Sequence, residues 1–267
     1  MSSKKTLLVK KLFGKSSTNI NKKLKELKKK KDINQKDEEL KYIPILTIEK
    51  VYYFINTDTI YKFLIPVNVK NIFLTMIGGG GAGGIGYVQN YYYYSGGGGG
   101  AGAYLIKKPI AVNGGEIVSL KVGKGGIATQ NEGEESYIII ILGNIQNKYS
   151  IEGGKNGNPS TIFRDNFLNG GSGGISGYSS IQDGESGYDG EVNLPSQPNA
   201  NGGNGANSYF GKGGTGGYFN EENIISLIGK DGSYGSGGGG SSPRTNFDLN
   251  SKLSGNGGDG FILIEMI

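Results

Sequence analysis

Glycine constrains the fold of this chain more than any other residue. Of the 267 residues, 51 are glycine, and all of them except Gly14 lie between Gly78 and Gly260. They concentrate in tracts at residues 78–86, 96–102, 170–177, 202–217, 235–240 and 255–260. Glycine loses more backbone entropy on ordering than any other residue, so a flexible loop is the default expectation for such a tract. The chain must therefore either leave these tracts loose or order them through main-chain contacts alone.

An ordered array of glycine threads is the alternative to loose loops. In the polyproline II conformation a chain has three residues per turn and no internal hydrogen bonds, so its N–H and C=O groups point outward. Glycine threads in this conformation can lie side by side without intervening Cβ atoms and can satisfy one another's main-chain groups. Because long unstructured excursions are unusual in compact domains, we predict an ordered polyglycine II lattice. Collagen is excluded, since it needs glycine at every third position, and Gly184, Gly187 and Gly190 keep that period for only three steps.

Short β-rich segments separate the glycine tracts. Residues 51–56 and 60–67 are rich in Tyr, Phe, Ile and Val and flank a turn-like Thr57-Asp58-Thr59. Pro66 is expected to close the second segment. Further strands are predicted at residues 71–77, 103–107, 116–122, 136–142, 160–164, 223–228 and 261–267. No window of the body has sustained helical periodicity, so the predicted fold class is all-β.

The composition excludes several classes of site. The chain contains no Cys and no His, which removes a disulfide framework, a Ser–His–Asp triad, a Cys–His pair and a conventional structural zinc site. The longest notable apolar run, residues 137–142, is far shorter than the ~20 residues of a membrane helix. The short apolar run Leu7-Leu8-Val9 also falls short of a secretory signal, so no signal peptide is evident. We therefore expect neither a transmembrane segment nor a cofactor, metal or catalytic residue.

Charge divides the chain into a basic tail, residues 1–41, and a mildly acidic body, residues 42–267. The tail has 14 lysines and 5 acidic residues, a balance of +9, whereas the body has a balance of −4. Ile20, Leu24 and Leu27 have helical spacing, which indicates a short amphipathic helix with a cationic face. The tail is interpreted either as a solvated, partly disordered arm or as an anchor. The anchoring residues would be Lys22, Lys23, Lys25, Lys28, Lys29, Lys30 and Lys31.

An anchoring tail would pack against other chains or against an anionic polymer or membrane surface. No aromatic residues alternate with the lysines at residues 22–31, which weakens the stacking mode of single-strand binding. Sequence-specific nucleic-acid recognition has no support in the sequence.

Four consecutive tyrosines, Tyr91, Tyr92, Tyr93 and Tyr94, interrupt the glycine-rich region. Two readings of this quartet stay open. The tyrosines either pack and cap an edge, or form an aromatic contact surface at an exposed bend. The isolated residues Tyr178, Tyr188 and Tyr218 are likewise expected at bends or on the outer surface.

Some patterns that resemble chemical motifs are rejected. Gly78 to Gly83 matches G-x-G-x-x-G after a strand, but no helix follows it, and no acid occurs between Asp58 and Glu116 to bind a ribose. Gly14-Lys15-Ser16 ends like a phosphate-binding loop, but Val9 stands where the first glycine is required. Two acidic clusters, Glu132/Glu134/Glu135 and Asp183/Glu185/Asp189/Glu191, are interpreted as solvated loop acids. Neither is assigned as a glycosidase pair or a calcium site.

The order of strands and glycine tracts resembles a known family. The blocks that carry the resemblance are residues 61–66, 71–81, 96–104, 116–126, 153–157, 160–163 and 257–265. This series resembles the glycine-rich domain family of bacteriophage tail-fibre proteins and of structural proteins in giant DNA viruses. It is also similar to the glycine-rich region of anaplastic lymphoma kinase. The resemblance implies a jelly-roll-like sandwich with polyglycine II insertions between its strands, and it leaves the tail and the tyrosine quartet unexplained.

From the resemblance we expect a non-enzymatic structural component of a large DNA virus particle, associated with its capsid or fibre. Such a protein is made in the host cytoplasm and located in the virion. Its partners would be other virion proteins or its own copies, with a homotrimer implied by the family alone. The alternative function is an adhesin that engages a host glycan or protein through the tyrosines.

Overall fold

The computed structural model describes residues of the glycine-rich β body, within Val51–Ile267. The described residues are 51–89, 92–128, 132–142, 145–159, 161–162, 168–169, 177, 183–193, 200–218, 228–243 and 254–266. The predicted tail, residues 1–41, and nearly all of the predicted strand at residues 223–228 lie outside these ranges. The description below therefore concerns the glycine-rich β body.

The described residues contain strands and no helix, which confirms the all-β prediction. The first seven strands are β1 (Val51–Phe54), β2 (Ile60–Leu64), β3 (Asn71–Ile77), β4 (Tyr87–Gln89), β5 (Tyr92–Tyr94), β6 (Tyr104–Ala111) and β7 (Ile117–Lys121). The others are β8 (Ser136–Leu142), β9 (Ile145–Ile151), β10 (Thr161–Ile162), β11 (Leu168–Asn169), β12 (Val192–Asn193) and β13 (Phe261–Met266). In this part of the chain, no helix has the length and apolar character needed to cross a membrane.

Two four-stranded antiparallel sheets form a β-sandwich, with the strand orders β1-β13-β3-β6 and β2-β7-β8-β9. Eight strands in two sheets are also the make-up of a jelly roll. The core lies between the sheets, where alternate residues such as Leu74 and Ile264 face Leu120 and Ile138 in one buried cluster. Aromatic rings of β1 and β2 close one side of the core, since Tyr52 stacks on Phe63 at a centroid distance of 5.5 Å. Smaller sheets, β12-β5-β4 and β10-β11, lie outside the sandwich.

The glycine tracts form hydrogen-bonded threads, and the partners of a thread change with a period of three residues. In thread 95–103, the N–H groups of residues 96, 99 and 102 donate to the carbonyls of residues 241, 238 and 235. The N–H groups of residues 97, 100 and 103 donate to the carbonyls of residues 158, 155 and 152. The N–H groups of residues 95, 98 and 101 donate to the carbonyls of residues 191, 188 and 185. Each successive N–H thus turns to a new neighbour and returns to the first after three residues, which is polyglycine II geometry. The predicted lattice is confirmed.

The inner threads have six neighbours each. Thread 95–103 donates to three segments and also accepts hydrogen bonds from residues 78–84, residues 203–206 and Gly177. Residues 236–241 accept from three segments, at residues 96–99, 214–217 and 255–258, and they donate to residues 81–84, 203–206 and Lys230 among others. Three donating and three accepting directions around one axis produce hexagonal packing, in which main-chain groups satisfy one another in the interior.

Glycine is required inside this lattice because the threads approach too closely for a side chain. A Cβ built on Gly79 would lie 2.0 Å from the carbonyl oxygen of Lys124, and one built on Gly99 would lie 2.1 Å from that of Gly81. Both distances are far below van der Waals contact, and the obstructing atoms belong to the backbone, which cannot rotate away.

Thread 183–191 lies at the surface of the lattice, which explains its short glycine period. Gly184, Gly187 and Gly190 face thread 95–103, where built Cβ atoms would lie 2.3–2.5 Å from carbonyl oxygens of that thread. The positions between them are exposed: Asp183, Glu185, Ser186, Tyr188, Asp189 and Glu191. A thread packed on one side needs glycine at only one position in three, so a collagen-like period appears without collagen.

The sandwich and the lattice are joined at Ser136, at the start of β8. Its hydroxyl donates to the carbonyl oxygen of Ile77 at 2.7 Å and accepts from the N–H of Gly123 at 2.9 Å. Ile77 ends β3 and Gly123 follows β7, so this buried hydroxyl links both sheets at the point where their strands become threads. Residues 78–84 continue directly from β3, and residues 254–260 lead directly into β13.

Substitutions at two adjacent positions of thread 183–191 should distinguish the effect of close packing from the effect of changing the residue type. We expect Gly187→Ala to lower the free energy of unfolding by about 1–3 kcal/mol, because its methyl group would meet the carbonyl oxygen of Gly98 at 2.3 Å. The control, Ser186→Ala, places the same methyl group at an exposed position and should stay within about 0.5 kcal/mol of the wild type. Urea unfolding measures both. Equal stability of the two variants would contradict close packing of this thread.

Candidate interaction surfaces

The last three residues of the tyrosine quartet belong to a small sheet. Tyr92–Tyr94 form β5, which pairs with β4 and with β12. Tyr94 is only 1% exposed, and its ring stacks on Tyr87 at 5.2 Å. Tyr94 therefore packs and cannot form part of an exposed contact surface. Tyr93 is half-buried, while Tyr91 and the side chain of Tyr92 lie outside the described residues, so binding through them stays a prediction.

Other tyrosines of the body are more exposed than Tyr93 and Tyr94. Tyr188, Tyr209 and Tyr218 have exposed fractions of 63%, 58% and 53%. Tyr188 and Tyr218 therefore lie on the outer surface, as predicted, whereas Tyr178 is outside the described residues. Tyr209 stacks on Tyr104 at 5.3 Å and covers the junction of β6 with the lattice.

An exposed aliphatic face lies on the outer side of the sheet β2-β7-β8-β9. We define this aliphatic face as Leu64, Ile117 and Ile141, which are all exposed. Leu64 pairs with Ile117 across β2 and β7, and the register of β7 with β8 places Ile117 beside Ile141. The outer face of an antiparallel sheet is usually polar, and contiguous apolar exposure marks interaction sites. This face is therefore the strongest candidate for contact with another protein.

Ion pairs account for the first acidic cluster, and two of their lysines, Lys121 and Lys148, belong to the sheet that carries the aliphatic face. Glu134 bonds Lys121 at 2.7 Å, Glu135 bonds Lys148 at 2.6 Å, and Glu132 bonds Lys155 at 2.6 Å. The hydrogen bond that Lys121 donates to Glu134 raises the pKa of Lys121, and the one that Lys155 donates to Glu132 raises the pKa of Lys155. Lys121 and Lys155 thus stay charged at neutral pH. The three glutamates, which were predicted to be solvated loop acids, form exposed surface ion pairs.

Two half-buried tyrosines, Tyr53 and Tyr87, have raised pKa values. Burial raises the pKa of Tyr53, helped by the nearby Tyr234, and burial also raises the pKa of Tyr87. Both shifts keep the phenol neutral at physiological pH. Within the described part of the chain, no group of three His, Cys, Asp or Glu side chains is arranged to hold a metal ion.

The glycine motif that follows β3 belongs to the lattice. The N–H groups of Gly78, Gly79 and Gly80 donate to the carbonyls of Ala103, Glu134 and Gly258. They are therefore occupied by main-chain partners and do not form the open helix N-terminus that a pyrophosphate site needs. Rejection of a dinucleotide site at residues 78–83 is supported by this bonding.

Comparison with known families agrees with this architecture. A family model described as a glycine-rich domain matches residues 56–266. The chain belongs to this glycine-rich domain family. The match covers the lattice and all strands of the sandwich except β1, and it does not include the basic tail. A search of curated protein sequences found no match.

Proposed function

We propose that this glycine-rich domain protein is a non-enzymatic structural component of a large DNA virus particle, associated with its capsid or fibre. The observation that carries the proposal is the main-chain lattice. A body held by hydrogen bonds in three directions resists bending and shear, and it needs no side-chain chemistry inside. The resemblance of its block order to phage tail-fibre and giant-virus structural proteins supplies the viral context, and the similarity to the region of anaplastic lymphoma kinase would concern architecture only.

The aliphatic face would supply the contact with neighbouring proteins of the particle or with other copies of the chain. Burying Leu64, Ile117 and their neighbours would stabilise assembly through the hydrophobic effect. The flanking Lys121–Glu134 and Lys148–Glu135 pairs resemble the polar rim of a protein interface. The anchoring lysines of the tail, residues 22–31, would add attraction to an anionic surface of the particle.

The proposal predicts that the protein co-purifies with virus particles. Quantitative mass spectrometry of gradient-purified particles should detect it at a fixed ratio to the capsid protein. Its presence only in the cytosol of infected cells would contradict the proposal.

The double variant Leu64→Lys/Ile117→Lys should reduce incorporation several-fold, because two charges would have to be buried. Val67→Lys/Ser186→Lys adds two lysines at exposed positions outside the aliphatic face; it is the control and should be incorporated normally.

An adhesin is the second candidate function, favoured by the half-buried Tyr93 and by the exposed tyrosines elsewhere on the body. Replacing Tyr91, Tyr92 and Tyr93 with serine should abolish binding to host cells if the quartet carries adhesion. Tyr94 is kept in this variant because its loss would open a cavity. Unchanged binding of the labelled variant to cells, measured by flow cytometry, would remove this candidate.

A further inference from the structure

A groove on the lattice surface lies between thread 183–191 and residues 200–218. It has a volume of about 370 Å³ and is lined by Tyr188, Tyr218, Asp189, Glu191, Asn201 and Asn204. Its floor is the main chain of glycines 202, 203 and 216. This volume falls within the range of small-molecule sites. The groove is separate from the tyrosine quartet and from the aliphatic face.

The lattice holds the groove residues in place through their own main chain. Tyr188 donates its N–H to the carbonyl of Asn204 at 3.0 Å and accepts from the N–H of Gly98 at 2.8 Å. Glu191 likewise donates its N–H to the carbonyl of Asn201 at 2.9 Å. Side chains mounted on such fixed backbone lose little additional backbone entropy when a ligand binds, so the groove is preorganised.

Hydrogen bonds also orient the polar side chains of the groove. The Asn204 Oδ1 atom accepts from the N–H of Gly216 at 2.8 Å, which leaves the amide NH₂ group as the outward donor. The Asn201 Nδ2 atom donates to Glu191 Oε2 at 3.0 Å, which fixes that carboxylate while its second oxygen can accept. The groove thus presents an oriented donor and an oriented acceptor beside two aromatic rings.

From this arrangement we propose that the groove between Tyr188 and Tyr218 binds an uncharged hexose unit of a glycan. A pyranose ring has an apolar C–H face that stacks on an aromatic ring, and its hydroxyls pair with carboxylate and amide groups. The rings of Tyr188 and Tyr218 are 63% and 53% exposed and so can accept such stacking. Asp189 and Glu191 disfavour phosphorylated or sulfated ligands through like-charge repulsion. This inference does not depend on the proposed structural role.

The test uses the full chain and saturation-transfer NMR with the methyl glycosides of galactose, glucose, mannose and N-acetylglucosamine. At least one should bind saturably, and galactose 6-phosphate should bind more weakly than methyl galactoside. Tyr188→Ala and Tyr218→Ala should each weaken binding about 10-fold through loss of the stacking ring. Tyr188→Phe keeps the ring and should retain binding.

Tyr209→Ala is the matched control, because Tyr209 is similarly exposed at 58% but lies outside the groove; it should leave affinity unchanged. Folding of each variant is checked by its thermal unfolding midpoint. Failure of all four glycosides to bind the wild type would overturn the proposal, as would equal affinity of the folded groove variants and the wild type. Absence from virus particles would instead count against the structural role and leave the groove unaffected.

Discussion

Direct hydrogen bonding between glycine main chains is the interaction on which the rest of this structure depends. Side-chain burial accounts for the sandwich, but residues 78–84, 95–103 and 235–241 have almost no side chains to bury. Their N–H and C=O groups are paired with other threads instead. Ordering a residue costs about 1–2 kcal/mol of backbone entropy, and a thread gains its bonds only when its neighbours are in place. The lattice must therefore order cooperatively.

The β-sandwich supplies the framework on which the cooperative ordering of the lattice can start. Its strands deliver the threads in fixed positions, since β3 leads into residues 78–84 and thread 95–103 leads into β6. Ser136 fixes the ends of β3 and β7 relative to each other through two hydrogen bonds. Thread spacing is thus set at one end by side-chain packing and propagated outward by main-chain bonds. The exposed residues of the outer threads become the surface available for binding.

Much of the sandwich could be predicted from the sequence, because β3, β7, β8 and β13 carry strong apolar or alternating patterns. The strand predicted at residues 103–107 is longer in the structure, where β6 runs through Pro109 to Ala111; β6 is an edge strand, where a missing N–H is tolerated. Strand β9 was missed because its outward side chains, including Gln146 and Lys148, are polar, as is usual for an edge. The small sheet at Tyr92–Tyr94 could not be predicted, because tyrosines between glycine tracts fit packing at an edge as well as an exposed bend.

The existence of an ordered glycine lattice could be predicted from the sequence, but the sequence does not indicate which threads lie next to each other. Glycine tracts lack side-chain patterns, so nothing in residues 96–100 indicates that their partners include residues 155–158 and 238–241. In the surface thread 183–191, the glycine period does indicate which side is packed, because Gly184, Gly187 and Gly190 face thread 95–103. For the same reason the groove at Tyr188 and Tyr218 was not foreseen, since it forms from segments that are distant in sequence.

Amide hydrogen exchange, resolved by residue with NMR, tests the main-chain lattice most directly. The account predicts that the amides of residues 79–84, 96–102 and 237–241 exchange as slowly as those of the sandwich strands, because each is hydrogen-bonded and buried. Exchange of these glycine amides at the rates of an unstructured peptide, alongside protected strands, would contradict it.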